Sequence, residues 1–181
     1  MPLPDTIAAW RDTAVGMDSD FMVGPVNALW AQRYAIAVDD LDPMYFDEGY
    51  ARSHGLRGLV APLNYLTTQR HESAAGPAES SMQSDGLPQG SGPPLAGLAV
   101  MGGGQDIVFH EHVYCGEIIV GKKRVVRVEE RTGRSGAMVV VEEEIRYFNS
   151  QGEAKVTLLN TVLYRVLSLD GIVSTEAGDG H

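Results

Sequence analysis

The sequence predicts an α+β domain in which a curved antiparallel sheet wraps around a central helix. The C-terminal half contains three long segments rich in β-branched residues, 118–131, 137–149 and 153–167, separated by glycine-containing turns at 132–136 and 149–152. Long strands joined by tight turns are typical of a twisted antiparallel sheet. Such a sheet needs an apolar cover on its inner face, and the segments after Asp47 and Leu63 have helical composition.

The N-terminal residues 5–15 are predicted to form an amphipathic helix. Ile7, Trp10 and Ala14 recur at helical spacing, and Gly16 is suited to end the helix. The chain starts without a basic segment followed by an apolar run, and no apolar run approaches the roughly 20 residues of a membrane span. A cytoplasmic protein without a membrane partner is therefore expected.

The middle of the chain predicts shorter elements. Residues 21–30 contain a Gly-Pro pair and are expected to be irregular, and Ala31–Val38 is expected to form a strand. Residues 47–54 and 63–70 predict short helices, and the former is expected to be the helix that the sheet wraps. Residues 107–114 predict a further strand.

Composition predicts a single domain with one insertion. Residues 71–97 are rich in glycine, proline and serine, which is typical of a flexible insertion. The domain is expected to span 21–169, preceded by a helical extension over 1–20 and followed by a frayed tail over 170–181.

Charge and cysteine content exclude two classes of function. The net charge of −10 and the pI near 4.8 argue against non-specific binding to nucleic acid, which requires clustered cations. The single cysteine, Cys115, excludes a cysteine-rich zinc site. His110 and His112 share one face of an expected strand but lack an evident third ligand, so no metal is predicted.

A turn rich in carboxylates marks the candidate site. Asp39, Asp40 and Asp42 follow an apolar run, and Pro43 then interrupts regular pairing before the predicted helix that begins near Asp47. A carboxylate-bearing turn that leads into a helix is a suitable place for acid–base chemistry.

Four segments, in this order along the chain, carry a family resemblance: Asp40-Leu-Asp-Pro-Met-Tyr-Phe-Asp47, Gly58-Leu-Val-Ala-Pro62, residues 104–117 and residues 147–153. Together they resemble the hot-dog-fold domains of the MaoC-like dehydratase and hydratase family, in particular its N-terminal, fatty-acid-synthase-like dehydratase type. The resemblance covers residues 20–167 and implies a hot-dog fold.

The resemblance also implies a site, from which this chain departs twice. The family's Asp, Pro and His motif, whose Asp and His act on water and on the α-proton of an enoyl thioester, aligns with Asp40, Pro43 and Tyr45. Tyrosine, with an ordinary pKa of about 10, is a poor base at neutral pH. Leu63 stands where the family has a glycine whose N–H helps to bind the thioester oxygen, and Leu63 and Asn64 are the candidate substrate-binding residues there.

The only dense basic cluster consists of Lys122, Lys123 and Arg124. It predicts either a solvated strand face or a contact for the phosphates of coenzyme A or for an acidic carrier protein. Coenzyme A or pantetheine is expected only as part of the substrate, and no separate cofactor is implied.

These departures lead to three hypotheses. The first is the substrate-binding or structural half of an enoyl-thioester hydratase or dehydratase, paired with a catalytic hot-dog partner. The second is a self-sufficient homodimer that uses Asp40 with Tyr45 or with a histidine such as His54 or His112. The third is a thioester-binding scaffold without turnover. A homodimer or a heterodimer is expected in each case, because long strands leave a sheet edge that a second copy can extend.

Overall fold

The structure, a computed structural model, describes residues 5–68, 92–93, 98–133 and 136–166. Their helices and strands follow one another as α1 (Asp5–Ala14), β1 (Asp18–Pro25), α2 (Ala28–Ala37), a 3₁₀ turn (Pro43–Tyr45), α3 (Glu48–Ser53), α4 (Tyr65–Thr68), β2 (Leu98–Phe109), β3 (Ile118–Gly133), β4 (Gly136–Asn149) and β5 (Ala154–Val166). The strands form one antiparallel sheet in the order β1-β3-β4-β5-β2. None of the described helices is long and apolar enough to cross a membrane.

The three long C-terminal strands are confirmed as β3, β4 and β5. The first hairpin closes with Gly133 paired to Gly136, and the two residues between them lie outside the described part of the chain. The second predicted turn is confirmed: Gly152 has a φ of 83° and donates its N–H to the Asn149 carbonyl oxygen at 3.0 Å. This left-handed conformation favours glycine.

The prediction for the strand over residues 107–114 is wrong at both ends. β2 begins at Leu98 and ends at Phe109. Three consecutive glycines concealed its first half, because glycine weakens a strand pattern. One of them, Gly103, fits there for a steric reason, since a Cβ at this position would lie 2.7 Å from Cγ2 of Thr161 on β5. Of the predicted insertion, all residues except Gly92 and Pro93 lie outside the described residues.

The prediction that residues 21–30 are irregular is also wrong. The first half of this segment belongs to β1, which pairs with β3 and has a bulge between Met22 and Gly24. Phe21 packs edge-on against Tyr147, with the ring centroids 5.9 Å apart. Gly121 makes room for this ring, because a Cβ there would lie 2.1 Å from the Phe21 Cζ.

The strand predicted over Ala31–Val38 is replaced by α2. Asn27 caps this helix, since its Oδ1 accepts a hydrogen bond from the backbone N–H of Leu29 at 2.9 Å. Ala31 and Ala35, four residues apart, are fully buried on one face of the helix. A short apolar run fits a buried helix as well as a strand, and the cap decides between them.

Helices α2 and α4 cover one half of the inner face of the sheet. Ala31 of α2 and Tyr65 and Leu66 of α4 lie in one buried cluster with side chains of β3, β4 and β5. The helix predicted to be central, residues 47–54, forms as α3 but contributes no side chain to this cluster. Its only buried residue is Ala51, so its apolar face is too narrow to cover a sheet.

Helix α1 covers the other half of the inner face. Ile7 and Ala14 are buried against valines of β3 and β4 and against Tyr164 of β5. The predicted helix over residues 5–15 is therefore confirmed, and Gly16, with a φ of 85°, ends it. The N-terminal helix and the central helices α2 and α4 thus all pack against the inner face of the sheet.

A row of polar side chains separates the two halves of the inner face. It takes one residue from each of four strands: Lys123, Glu143, Asn160 and Gln105. The Lys123 Nζ donates to Glu143 Oε1 at 3.2 Å, and the Gln105 Nε2 donates to Asn160 Oδ1 at 3.1 Å. These bonds compensate for the removal of the polar groups from water.

Candidate active site

The end of α2 fixes the backbone of Asp40. Asp39 adopts a left-handed φ of 58°, which is uncommon for a residue with a side chain. Its N–H donates to the Ile36 carbonyl oxygen at 3.2 Å, and the N–H of Asp40 donates to the Ala35 carbonyl oxygen at 2.9 Å. This pair of bonds is a Schellman motif, which usually contains glycine at the position of Asp39. The carboxylate of Asp40 leaves the helix exposed to solvent.

The 3₁₀ turn brings Tyr45 back to Asp40. Asp42 caps the turn by accepting a hydrogen bond from the N–H of Met44 at 2.9 Å, and Pro43 occupies the first position of the turn. The Tyr45 hydroxyl then donates to Asp40 Oδ2 at 3.0 Å. The structure therefore joins the two predicted catalytic positions directly.

The environment of Tyr45 keeps its hydroxyl protonated. The residue is 7 % exposed and lies with Ala35 and Val60 in a small apolar cluster. Burial is the main reason why the pKa of Tyr45 rises to about 12, and the hydrogen bond to Asp40 and the negative charge of Asp42 add to it. At neutral pH Tyr45 is a hydrogen-bond donor and not a base.

The predicted substrate-binding residues at the start of α4 lie on the surface. Leu63 is 54 % exposed, and the Asn64 Oδ1 accepts a hydrogen bond from the Thr67 hydroxyl at 2.7 Å. The next two residues, Tyr65 and Leu66, are buried and anchor α4 to the sheet. Among the described hydrogen bonds, none joins Leu63 or Asn64 to the Asp40–Tyr45 pair.

The predicted basic cluster is divided between the two faces of the sheet. All three residues line a groove of about 1100 Å³, the outer groove, but the Lys123 side chain pairs with Glu143 in the polar row of the inner face. Arg124 binds both carboxylate oxygens of Asp18, at 2.6 and 2.8 Å. Neither Asp40 nor Tyr45 lines this groove.

The histidines considered as substitutes for the missing base have other partners. The His54 ring stacks on Tyr50, with the centroids 4.0 Å apart, and its Nδ1 lies 2.9 Å from the Tyr50 carbonyl oxygen. His112 lies after β2, with its ring edge-on to Tyr114. No described hydrogen bond links either histidine to Asp40. Within the described residues, no group of three or more His, Cys, Asp or Glu side chains is placed to hold a metal ion.

Sequence reasoning missed a buried ionic network centred on Glu117. Its carboxylate accepts hydrogen bonds from the Tyr114 N–H at 2.9 Å, from Asn149 at 3.4 Å and from Arg57. Lys155, only 2 % exposed, pairs with the same carboxylate at 3.1 Å. Burial alone would raise the pKa of Glu117, but the donors outweigh burial and the pKa lies below its usual value. No local pattern in the sequence connects these residues.

A family model identifies the family of this chain. The model described as "FAS1-like, dehydratase domain region" matches residues 13–158. This range contains the Asp40–Tyr45 pair, α2 to α4 and most of the sheet.

The chain belongs to this dehydratase family. The family resemblance predicted from the four sequence segments is thereby confirmed. No curated protein is similar enough to the chain to count as a match.

Solved structures of hot-dog proteins share the fold of this family member. A chain of the ChsH1–ChsH2 complex from Mycobacterium tuberculosis aligns with a TM-score of 0.66 and 19 % identity, over 88 % of this chain and 93 % of that chain. The MaoC-like dehydratase from Rhodospirillum rubrum gives a TM-score of 0.62 and 22 % identity, over 87 % and 97 %. A chain of the HadBC (3R-hydroxyacyl-ACP dehydratase) complex from Mycobacterium tuberculosis gives 0.57 and 21 %, over 83 % and 96 %. The predicted hot-dog fold is confirmed.

Proposed function

We propose that this chain is the substrate-binding or structural half of a MaoC-like enoyl-thioester hydratase or dehydratase. It would act on thioesters of coenzyme A or of an acyl carrier protein, and a second hot-dog subunit would supply the catalytic Asp and His. The hydrogen bond from the Tyr45 hydroxyl to Asp40 is the observation that carries this proposal.

The chemistry explains why this hydrogen bond matters. Adding water to an enoyl thioester requires a base for the water, a proton source for the α-carbon and donors for the oxyanion that develops. Tyr45, with a pKa of about 12, stays protonated at neutral pH and is a weak acid. Its hydroxyl occupies one oxygen of Asp40, where the family motif has a histidine that exchanges protons. A tyrosine–carboxylate pair of this kind is better suited to bind and orient a substrate than to transfer protons.

The free edge of the sheet supports the proposed subunit partner. β2 is an edge strand in the described sheet, and its N–H and C=O groups on one side have no neighbouring strand there. Four of its large apolar side chains are between 39 % and 54 % exposed: Val100, Met101, Val108 and Phe109. An exposed apolar edge favours pairing with a second chain. Two of the structural neighbours, ChsH1–ChsH2 and HadBC, are themselves complexes of two components.

One observation favours a self-sufficient homodimer as the second candidate. The Asp40 carboxylate is exposed, and only its Oδ2 takes part in a described hydrogen bond. Its Oδ1 would therefore be accessible to a water molecule, with Tyr45 holding the carboxylate in place. This alternative requires turnover by the purified chain alone.

Native co-purification from the source cells, followed by mass analysis and an assay with crotonyl-coenzyme A, tests the proposal. We expect a second hot-dog chain with the intact Asp and His motif to co-purify, and we expect hydration only by the complex. The proposal would be contradicted if the chain purified as a homodimer and this homodimer alone accounted for the crotonyl-coenzyme A hydration measured in the cell extract.

A further inference from the structure

A second groove, of about 670 Å³, lies around Arg57. It is formed by α3, the loop after it, the turn before β3 and the turn between β4 and β5. Among the residues that line it are Glu48, Arg52, Arg57, Tyr114, Glu117 and Gln151. Tyr114 connects the groove to the site, because its side chain also packs against the cluster of Ala35, Tyr45 and Val60.

The acidic groups in this groove are already compensated. Glu48 pairs with Arg52 four residues later, at 2.7 Å. Glu117 pairs with the buried Lys155 at 3.1 Å. Glu153 also approaches the Lys155 Nζ, at 3.7 Å, but its side chain is 61 % exposed and water screens its charge. The positive charge of Arg57 is therefore not needed to neutralise Glu117.

Arg57 contacts Tyr114 and Glu117 and still has unused hydrogen-bond donors. Its guanidinium carbon lies 4.1 Å from the centroid of the Tyr114 ring, and one of its terminal nitrogens donates to Glu117. The side chain is nevertheless 59 % exposed. The described hydrogen bonds use only this one nitrogen, so the other N–H groups of the planar fork are available to a ligand.

In the outer groove, by contrast, the cations Lys122 and Arg124 face acidic side chains on the same surface. Its cations are matched by acids on the same face: Arg124 binds Asp18, and Arg146 binds a glutamate at 2.7 Å. Lys122 stands directly opposite Asp20 in the β1–β3 pairing. The balanced charges of that face offer no surplus cation to an anionic ligand.

We propose that Arg57 binds a phosphate group of the phosphopantetheine carrier, whether that carrier is coenzyme A or an acyl carrier protein. This inference rests on the proposed function, because it assumes that the ligand is a phosphopantetheine thioester. The planar guanidinium fork suits a phosphate, which it contacts through paired N–H donors. Stacking on Tyr114 orients the fork before the ligand arrives, so little side-chain entropy is lost on binding.

Calorimetric titration of the whole chain with coenzyme A, with 4′-phosphopantetheine and with pantetheine tests this assignment. We expect R57Q to weaken the binding of both phosphorylated ligands about tenfold and to leave pantetheine binding unchanged. Loss for coenzyme A alone would also support the assignment and would locate the contact at the nucleotide end. The matched control is R127Q, which removes another exposed arginine in an ion pair and is expected to bind all three ligands as the wild type does.

Several results would overturn the assignment. The assignment would be wrong if R57Q bound the phosphorylated ligands as tightly as the wild type does. It would also be wrong if R57Q lost as much affinity for pantetheine as for the phosphorylated ligands. If K122Q/R124Q lost affinity for the phosphorylated ligands while R57Q kept it, the phosphate would bind in the outer groove. If the wild-type chain bound none of the three ligands, the proposed function itself would fail as well. Should R57Q not fold, R57K keeps the charge without the fork, and unchanged affinity in that variant would contradict the assignment.

Discussion

Two carboxylates in this chain, Asp40 and Glu117, have opposite environments. Glu117 is nearly buried; it accepts hydrogen bonds from a backbone N–H, an amide and an arginine, and it forms an ion pair with the buried Lys155. Asp40 is exposed, and its one described hydrogen bond comes from the neutral hydroxyl of Tyr45. The first carboxylate is fully compensated, whereas the second is left accessible beside a tyrosine that stays protonated.

This difference supports a structural role for Glu117 and the proposed ligand-binding role for Asp40. The Glu117 network ties the loop of Arg57 to the turn before β3 and to β5, so its charge is used to hold the fold together. The Asp40–Tyr45 pair holds no two elements of the sheet together. Perturbing Glu117 should therefore change stability, and perturbing Asp40 should change binding or chemistry.

The largest effect is expected for K155M. This variant removes the buried cation that faces Glu117 while preserving the length of the side chain, and breaking a buried ion pair costs about 3 kcal/mol of unfolding free energy. Urea denaturation measures the loss. The matched control is R124M, whose exposed partner Asp18 remains solvated, so the midpoint should hardly move. Equal stability of K155M and wild type would show that the Glu117 network does not hold the fold together.

A smaller effect is expected for Y45F, and it depends on pH. The pKa of Tyr45 rises from about 10 in the unfolded chain to about 12 in the folded one, so the folded state holds this proton more tightly. The resulting stability is fully present below pH about 10 and is lost as the pH rises toward 12. In Y45F the unfolding free energy should fall less steeply with pH above about 10, because this hydroxyl is absent. At neutral pH the unfolding free energy of Y45F should be about 1 kcal/mol lower, because the hydrogen bond to Asp40 is lost.

Tyrosinate absorbance and urea unfolding, followed together across the alkaline range, check this expectation. The difference between wild type and Y45F isolates the one hydroxyl, since the pKa of Tyr65 is also raised by burial. The expectation would be contradicted if the Tyr45 absorbance change occurred near pH 10, or if the unfolding free energies of wild type and Y45F fell in parallel above pH 10. Either result would show that the buried Tyr45 hydroxyl does not donate to Asp40 in solution.

The smallest effect is expected for D39G, which sharpens the account of how Asp40 is positioned. Glycine adopts the left-handed conformation of residue 39 without steric cost, which should raise the unfolding free energy by about 1 kcal/mol. The greater conformational entropy of glycine in the unfolded chain should offset roughly half of this gain. A gain of about 0.5 kcal/mol is therefore expected in urea unfolding. The matched control is G16A, which places a side chain at a φ of 85° after α1 and should destabilise the chain by about 1 kcal/mol. Destabilisation by D39G would indicate that the Asp39 side chain has a role beyond its backbone conformation.

The sequence predicted the parts of this molecule that depend on local patterns. Strands β3 to β5 follow from β-branched alternation and glycine turns, and the Asp40–Pro43–Tyr45 turn follows from its acids and proline. Helix α2 was missed because Ala31–Val38 is apolar enough for either a strand or a buried helix, and the signal from the Asn27 cap was not given weight.

The contacts that were not predicted are those between distant segments. The pairing of Glu117 with Lys155 and Arg57 depends on how β5 and the loop after α3 meet the turn before β3. Strand alternation alone places Lys123 on the opposite face from Lys122 and Arg124, but which of the two faces is the inner one depends on the register of β3 against β4. Neither the pairing nor the register is encoded in a local pattern.

Turnover of crotonyl-coenzyme A by the purified chain alone, measured for wild type and for D40N, tests the central claim most directly. The account predicts that the wild-type rate does not exceed that of D40N, because Tyr45, which stays protonated at neutral pH, stands where the family motif has its histidine. Wild-type turnover about 100-fold above that of D40N would contradict the account and would establish Asp40 as the base of a self-sufficient enzyme.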